Sequence, residues 1–188
     1  LQEYTIGDPN LPKVDIGPII NKNSKDRLLA HISALKKSAK RTIKHHHKQD
    51  KGDLFITPIV FEIDSINQID EENFGPILHF IRYKNENLQQ VIDEINDTGY
   101  GLTMGVHSRI VSKARRIFEA ANVGNFYFNR DIVGAVVGVQ PFGGQGLSGT
   151  GPKAGGPGYL YNFVTEKTYT DNVMATGGNI ELLNKNAM

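Results

Sequence analysis

The sequence predicts an α/β protein built on a mainly parallel sheet, with an exposed strand near its C-terminal end. Runs of β-forming residues alternate with segments of helical periodicity, the pattern of βαβ units. The 188 residues are 39% hydrophobic and 22% charged, a soluble globular composition long enough to bury one core. Ten of the 20 glycines lie between Gly134 and Gly158. That density is too high for regular helix or strand, so the stretch reads as a shaped loop.

A Gly7-Asp8-Pro9 turn lies near the start of the chain. Leu28, Ile32, Leu35 and Ala39 follow at spacings of four, three and four, which predicts one buried helical face with Asn23 and Ser24 as candidate caps. Arg41 to Asp53 is basic and polar and is expected to be an irregular connection. Leu54 to Ile63 is rich in β-formers apart from Pro58 and reads as a strand. Pro76 to Tyr83 is a second strand, entered through the Phe74-Gly75-Pro76 turn. Leu88, Val91, Ile92 and Ile95 mark a helix stopped by Gly99. Leu102 to His107 is the next strand. Ile110, Ala114, Ile117, Phe118 and Ala121 mark a third helix ended by Gly124, and Phe126 to Phe128 is a short strand. Beyond the glycine-rich loop, Tyr159 to Val164 is short and aromatic. Val164 to Val173 reads as the exposed strand and Ala175 to Met188 as a tail. No repeat period is present.

No apolar run approaches the roughly 20 residues that a membrane helix needs. Lys and Arg number 21 against 20 Asp and Glu, a net charge of +1, too even for the field that nucleic-acid binding demands. With no cysteine, the chain cannot hold disulfides, thiolate metal sites or a cysteine nucleophile of its own, and a reducing, cytoplasmic location is expected. It begins at Leu1 without a charged-then-apolar leader, so it is expected to be a piece of a longer polypeptide showing no signal peptide.

Gly144-Gln145-Gly146-Leu147-Ser148-Gly149 satisfies G-x-G-x-x-G after the β-branched run Val133 to Val139. A dinucleotide fingerprint needs its last glycine to open a helix, and Gly151, Pro152, Gly155, Gly156, Pro157 and Gly158 would break one. The segment reads instead as a loop whose N–H groups converge on an anion or whose backbone passes close to a ligand. His45-His46-His47 cannot share one helical face and is flanked by Lys44 and Lys48, so it reads as a solvated loop. His31, His79 and His107 stand without carboxylate or cysteine partners at ligand spacing and read as structural. No metal site is expected. Asp70, Glu71 and Glu72 alone would be a solvated acidic turn, but the residues that follow change that reading.

Glu71-Glu72-Asn73-Phe74-Gly75-Pro76 resembles the Glu-x-Phe-Gly-Pro motif of the aldehyde dehydrogenase superfamily. Tyr100-Gly101-Leu102-Thr103-x-Gly105 resembles its downstream Gly-Leu-Thr strand, and Pro141-Phe142-Gly143-Gly144 with Ser148-Gly149 resembles its Pro-Phe-Gly-Gly…Ser-Gly signature, in the same order. The likeness runs from Gly7-Asp8-Pro9 to Thr165-Glu166-Lys167-Thr168. Asn129-Arg130, Gln140 to Gly144 and Ser148 to Pro157 resemble the pyrroline-5-carboxylate (glutamate-semialdehyde) dehydrogenases. The tail Gly177-Gly178-Asn179 is similar to bifunctional bacterial proline-utilisation proteins.

The resemblance implies the C-terminal part of an aldehyde dehydrogenase catalytic domain over residues 1–163, an oligomerisation strand over 164–174 and a tail over 175–188. It implies NAD as cofactor, with Glu72 accepting hydrogen bonds from the nicotinamide-ribose hydroxyls and Phe74 packing beside the ribose and ring. FAD is implied only if a proline dehydrogenase domain lies upstream. Phe142 would wall the aldehyde pocket against water, and the N–H groups of Gly155 and Gly156 would anchor the substrate's distant carboxylate. The implied activity is oxidation of L-glutamate γ-semialdehyde to glutamate in proline catabolism, in a homo-oligomer joined through Thr165 to Val173. The family's chemistry needs a cysteine thiolate, which it places, with its general-base glutamate, N-terminal to this segment. No catalytic residue is therefore expected here, and the 188 residues alone are expected to be inert and to expose an apolar face. The alternatives are a dehydrogenase for another aldehyde, or a non-catalytic module whose glycine loop binds an anion or a partner.

Overall fold

The computed structural model describes residues 3–44, 52–149 and 151–172. The His45-His46-His47 triple, Val173 and the Gly177-Gly178-Asn179 tail lie outside these residues. The first helix, α1 (Lys22–Ser38), is capped by Asn21, whose extended backbone lets its side chain accept the Ser24 N–H at 2.8 Å. The cap therefore precedes the expected Asn23 and Ser24. The apolar pattern starts only at Leu28, so it is blind to the polar first turn.

Strands β1 (Arg41–Lys44), β2 (Ile59–Ile63) and β3 (Ile77–Ile81) form one sheet, β2–β3 parallel with Ile59 opposite Ile77 and β1–β2 antiparallel with Arg41 opposite Glu62. β1 corrects the expected irregular connection. All four of its residues are exposed, so this edge strand shows no alternation and exists through pairing rather than patterning. β2 starts after Pro58, which has no N–H to give a ladder. Its Ile59, Phe61 and Ile63 pack against Leu28, Ile32 and Leu35 of α1 in the larger core cluster. Burial of these six side chains is the main force holding α1 to the sheet.

The second half comprises α2 (Leu88–Asp97), β4 (Tyr100–Gly101), β5 (Thr103–Val106), α3 (Val111–Ala120) and β6 (Asn125–Phe128). Gly99, at φ +74°, ends α2 as expected. β5 and β6 pair in parallel, Thr103 opposite Asn125, and Leu88, Ile92 and Ile117 pack with Met104, Val106 and Phe126 beneath them. α3 ends at Ala121, so Gly124 is not its stop and serves the loop packing described below. The α/β architecture with parallel strand pairs is as the sequence predicts, divided among the described residues into three small sheets.

A two-residue strand, β7 (Gln145–Gly146), pairs antiparallel with β4. Tyr159–Phe163 is a short 3-10 helix. Residues 164–172 are exposed and belong to no strand within this chain. An extended segment forms a ladder only beside a partner, and no described strand lies alongside it. Val133, Val137 and Val139 are 78%, 96% and 73% exposed, an uncovered aliphatic run. Among the described residues no helix is long and apolar enough to cross a membrane.

Candidate functional site

Residues 71 to 75 enter β3 in alternation. Glu71 pairs with Arg27 of α1 at 2.6 Å, and its carbonyl accepts the Asn73 side chain at 2.7 Å. The guanidinium beside it holds the Glu71 carboxyl below its usual range. Gly75 lies so close to Leu28 that a Cβ would approach that side chain to 2.6 Å. With Glu71, Asn73 and Gly75 engaged, Glu72 and Phe74 are left facing outward. Phe74 is 84% exposed, and among the described residues the Glu72 carboxylate takes part in no hydrogen bond or ion pair. Both line a recess of about 60 Å³ with Ser24 and Arg27. On its other side Glu72 lines an open groove of about 850 Å³, shared with Tyr100 to Met104 and Ser148.

His31 and His79, read from the sequence as unpartnered, meet each other, Nε2 to Nε2 at 2.8 Å with rings near perpendicular at 77°. The contact joins α1 to β3 directly beneath this loop. It requires at least one neutral ring, since two protonated rings would oppose two N–H donors. Burial lowers both pKa values, with His31 raised in part by Asp70 and Glu71 and His79 lowered further by His31. The folded values thus lie below the ordinary 6.5. The neutral pair stabilises the fold fully above that pH, and the stabilisation is lost as pH falls below it. Denaturant midpoints measured on either side of pH 6.5 are expected to be lower on the acid side, and His79→Gln to flatten the difference. Loss of the Glu71 pairing belongs to a separate window below pH 4.5. A flat wild-type profile around the histidine window would remove the pair from the account. Among the described residues no group of three or more His, Asp and Glu side chains comes together.

The glycine-rich loop is held by close backbone approach. Cβ atoms at Gly101, Gly124 and Gly146 would overlap the carbonyl oxygens of Asn122, Gly143 and Gly99, respectively. Among the described residues no helix opens at Gly149, since 151–158 run through turns and bends, which argues against the dinucleotide fingerprint. Ser148 Oγ accepts the Gly101 N–H at 3.2 Å and brings the loop to the groove that Glu72 lines. Phe142 and Ala154 form an antiparallel bridge through two hydrogen bonds of 3.0 and 2.9 Å. Phe142 is therefore tied to the turn holding Gly155 and Gly156. Gly156 N–H closes that turn on Lys153 O at 3.0 Å, and Gly155 takes φ +72° at its third position, as a type II turn requires. Among the described residues Gly155 N–H has no partner. One of the two expected anchoring groups is thus open, and the other would have to leave the turn to bind.

The aldehyde dehydrogenase family model matches residues 1–169. The chain belongs to the aldehyde dehydrogenase family. It is 43% identical over 174 residues to the bifunctional protein PutA of Klebsiella aerogenes, covering 89% of this chain and 13% of that protein. With the 1-pyrroline-5-carboxylate dehydrogenase of Geobacillus sp. (strain WCH70) it shares 37% identity, over 90% of this chain and 33% of that one. A crystal structure of a Bradyrhizobium japonicum PutA mutant superposes with a TM-score of 0.81 at 50% identity, over 94% of this chain and 18% of the other. A Thermus 1-pyrroline-5-carboxylate dehydrogenase with bound NAD gives 0.71 at 39% identity, over 85% and 31%. This aldehyde dehydrogenase chain thus spans a third or less of the length of these relatives.

Two residues absent from the sequence reading position the aldehyde dehydrogenase motifs. Arg27 fixes Glu71 from α1, and Asn125 holds the Phe142 segment from β6. Arg27 left no local signal, since its partner is 44 residues away. Asn125 could have been found, because it occupies the inward register of Tyr127 in β6 and a polar side chain there needs partners.

Proposed function

We propose that this chain is part of an NAD-dependent L-glutamate γ-semialdehyde dehydrogenase of proline catabolism, a reading supported by the names of its relatives. The observation that carries it is the bridge between Phe142 and Ala154, which joins an aromatic side chain to a turn with an open N–H. An aldehyde carrying a carboxylate at its far end needs both, an apolar wall around the reacting carbon and an anion site beyond it.

The Glu72 loop fits NAD. Its carboxylate is unengaged and can only accept hydrogen bonds when ionised, as ribose hydroxyls require, while exposed Phe74 offers a face for the ribose and ring. When bound, NAD⁺ supplies the acceptor for the hydride. Glu72 orients the ribose, Phe142 excludes water, and the N–H of Gly155, with that of Gly156 once released from the turn, holds the carboxylate. The cysteine nucleophile and general base come from a portion of the protein outside this chain, which contains no cysteine. Exposed Val133, Val137 and Val139 support covering by further chain. Thr165 to Val173 supply a strand that pairs with another subunit, in keeping with the lack of a ladder along the described residues 165–172. FAD belongs only to a proline dehydrogenase portion, where the polypeptide carries one. The enzyme works in the cytoplasm.

The test is a comparison of the full-length protein with these 188 residues, each supplied with L-glutamate γ-semialdehyde and NAD⁺. NADH formation by the full-length protein and none by the isolated chain is expected. Oxidation by the isolated chain would overturn the division of labour, and none by the full-length protein would overturn the activity.

A further inference from the structure

We infer that Asn125 is a positioning residue that holds Phe142 and the adjoining carboxylate-anchoring turn in one geometry. This rests on the activity proposed above. Asn125 is 9% exposed and is the buried polar residue among the described ones. It opens β6, where its N–H donates to Leu102 O at 3.0 Å, so its backbone is fixed by the β5 side of the fold. Its side chain then uses both ends of the carboxamide. Nδ2 donates to Pro141 O at 3.0 Å, and Oδ1 accepts from Gly143 N at 3.1 Å. These two backbone groups flank Phe142, so one side chain brackets the aromatic residue from before and after.

The preceding residue holds the other arm of the bridge. Gly124 O accepts the Lys153 ammonium, and Lys153 begins the turn that Gly156 closes. Gly124 also has no room for a Cβ against Gly143, which brings the start of β6 and the loop into backbone contact. Adjacent residues of one strand entrance thus grip both sides of the Phe142–Ala154 bridge. The chemistry favours an amide at position 125. A carboxylate would turn an acceptor toward Pro141 O, and an aliphatic side chain would leave a part-buried carbonyl and N–H unpaired. A buried group with both partners satisfied specifies one arrangement. Its loss releases the pocket wall and the turn together.

The test uses the full-length enzyme with Asn125→Asp and, as a second variant at the other grip, Lys153→Met. A KM for L-glutamate γ-semialdehyde raised about tenfold, with the KM for NAD⁺ unchanged, supports the inference. So does recovery of the Asp variant as pH is lowered, because a protonated carboxyl again donates to Pro141 O. Wild-type KM values with kcat reduced only in proportion to the folded fraction would overturn it. If Asn125→Asp does not fold, Lys153→Met decides by the same KM criterion. If the wild-type protein does not oxidise the semialdehyde, the activity fails separately. Hydrogen exchange then decides: faster exchange at Gly143 and Ala154 N–H in a folded variant upholds the inference, and unchanged exchange overturns it.

Discussion

Gly124→Ala in the full-length protein is expected to lower semialdehyde oxidation by about a hundredfold or more and to depress the melting temperature, as overpacking that forces backbone to move costs about 3 kcal/mol. The new Cβ would overlap the Gly143 carbonyl oxygen, with Gly143 C and Gly144 Cα each at 2.7 Å. All three are backbone atoms and have no rotamer by which to retreat. The displaced segment carries Phe142 on one side and the Ser148 contact on the other, so the wall of the pocket and the edge of the groove move together. Gly17→Ala is the control, because its Cβ would meet only Pro9 at 3.6 Å or beyond, ordinary van der Waals contact. Equal behaviour of the two variants in kcat/KM and thermal melts would remove the close packing at Gly124 from the account.

Gly155→Val is expected to act selectively. Nothing lies within 4 Å of a Cβ built there, yet φ is +72°, so the backbone conformation resists the substitution and neighbouring atoms do not. Left-handed conformations cost L-residues about 1–2 kcal/mol, and β-branched residues tolerate them least. Relief comes from rotating the Lys153–Gly156 turn, which turns the open Gly155 N–H away from an incoming carboxylate. The expected loss for the carboxylated substrate is about five- to thirtyfold, the equivalent of that strain. An uncharged aldehyde loses little, since Phe142 remains held by Asn125 and the Ala154 bridge. Gly156 is the less informative position because its Cβ would press on Lys153 O at 3.0 Å and on Pro141 Cβ at 3.3 Å.

Helices α2 and α3 and strand β6 were legible because one face of each is buried at the period of the element, β3 because half-buried and exposed residues alternate along it, and β5 through its β-forming residues alone. β1 was not, since an exposed edge strand has no buried face to pattern. The cap of α1 was missed for a related reason: its first turn is polar and only the Asn21 geometry marks it. The motifs place Glu72 and Phe74 on one loop and Phe142, Gly155 and Gly156 on another. What joins them within each loop was not legible. The Phe142–Ala154 bridge, the Arg27–Glu71 pair and the two-ended grip of Asn125 are contacts between residues 12, 44 and 16 to 18 positions apart, and sequence periodicity carries no information at such separations. The state of Gly156 N–H is also a matter of turn geometry that glycine content alone could not decide.

The ratio of kcat/KM for L-glutamate γ-semialdehyde to that for pentanal, an uncharged aldehyde of the same chain length, tests the assignment of a carboxylate anchor most directly when measured in the full-length protein with and without Gly155→Val. The expected result is a strong wild-type preference for the carboxylated substrate that falls by about fivefold or more in the variant, with pentanal turnover nearly unchanged. A wild-type ratio near unity, or equal losses on both aldehydes, would contradict it.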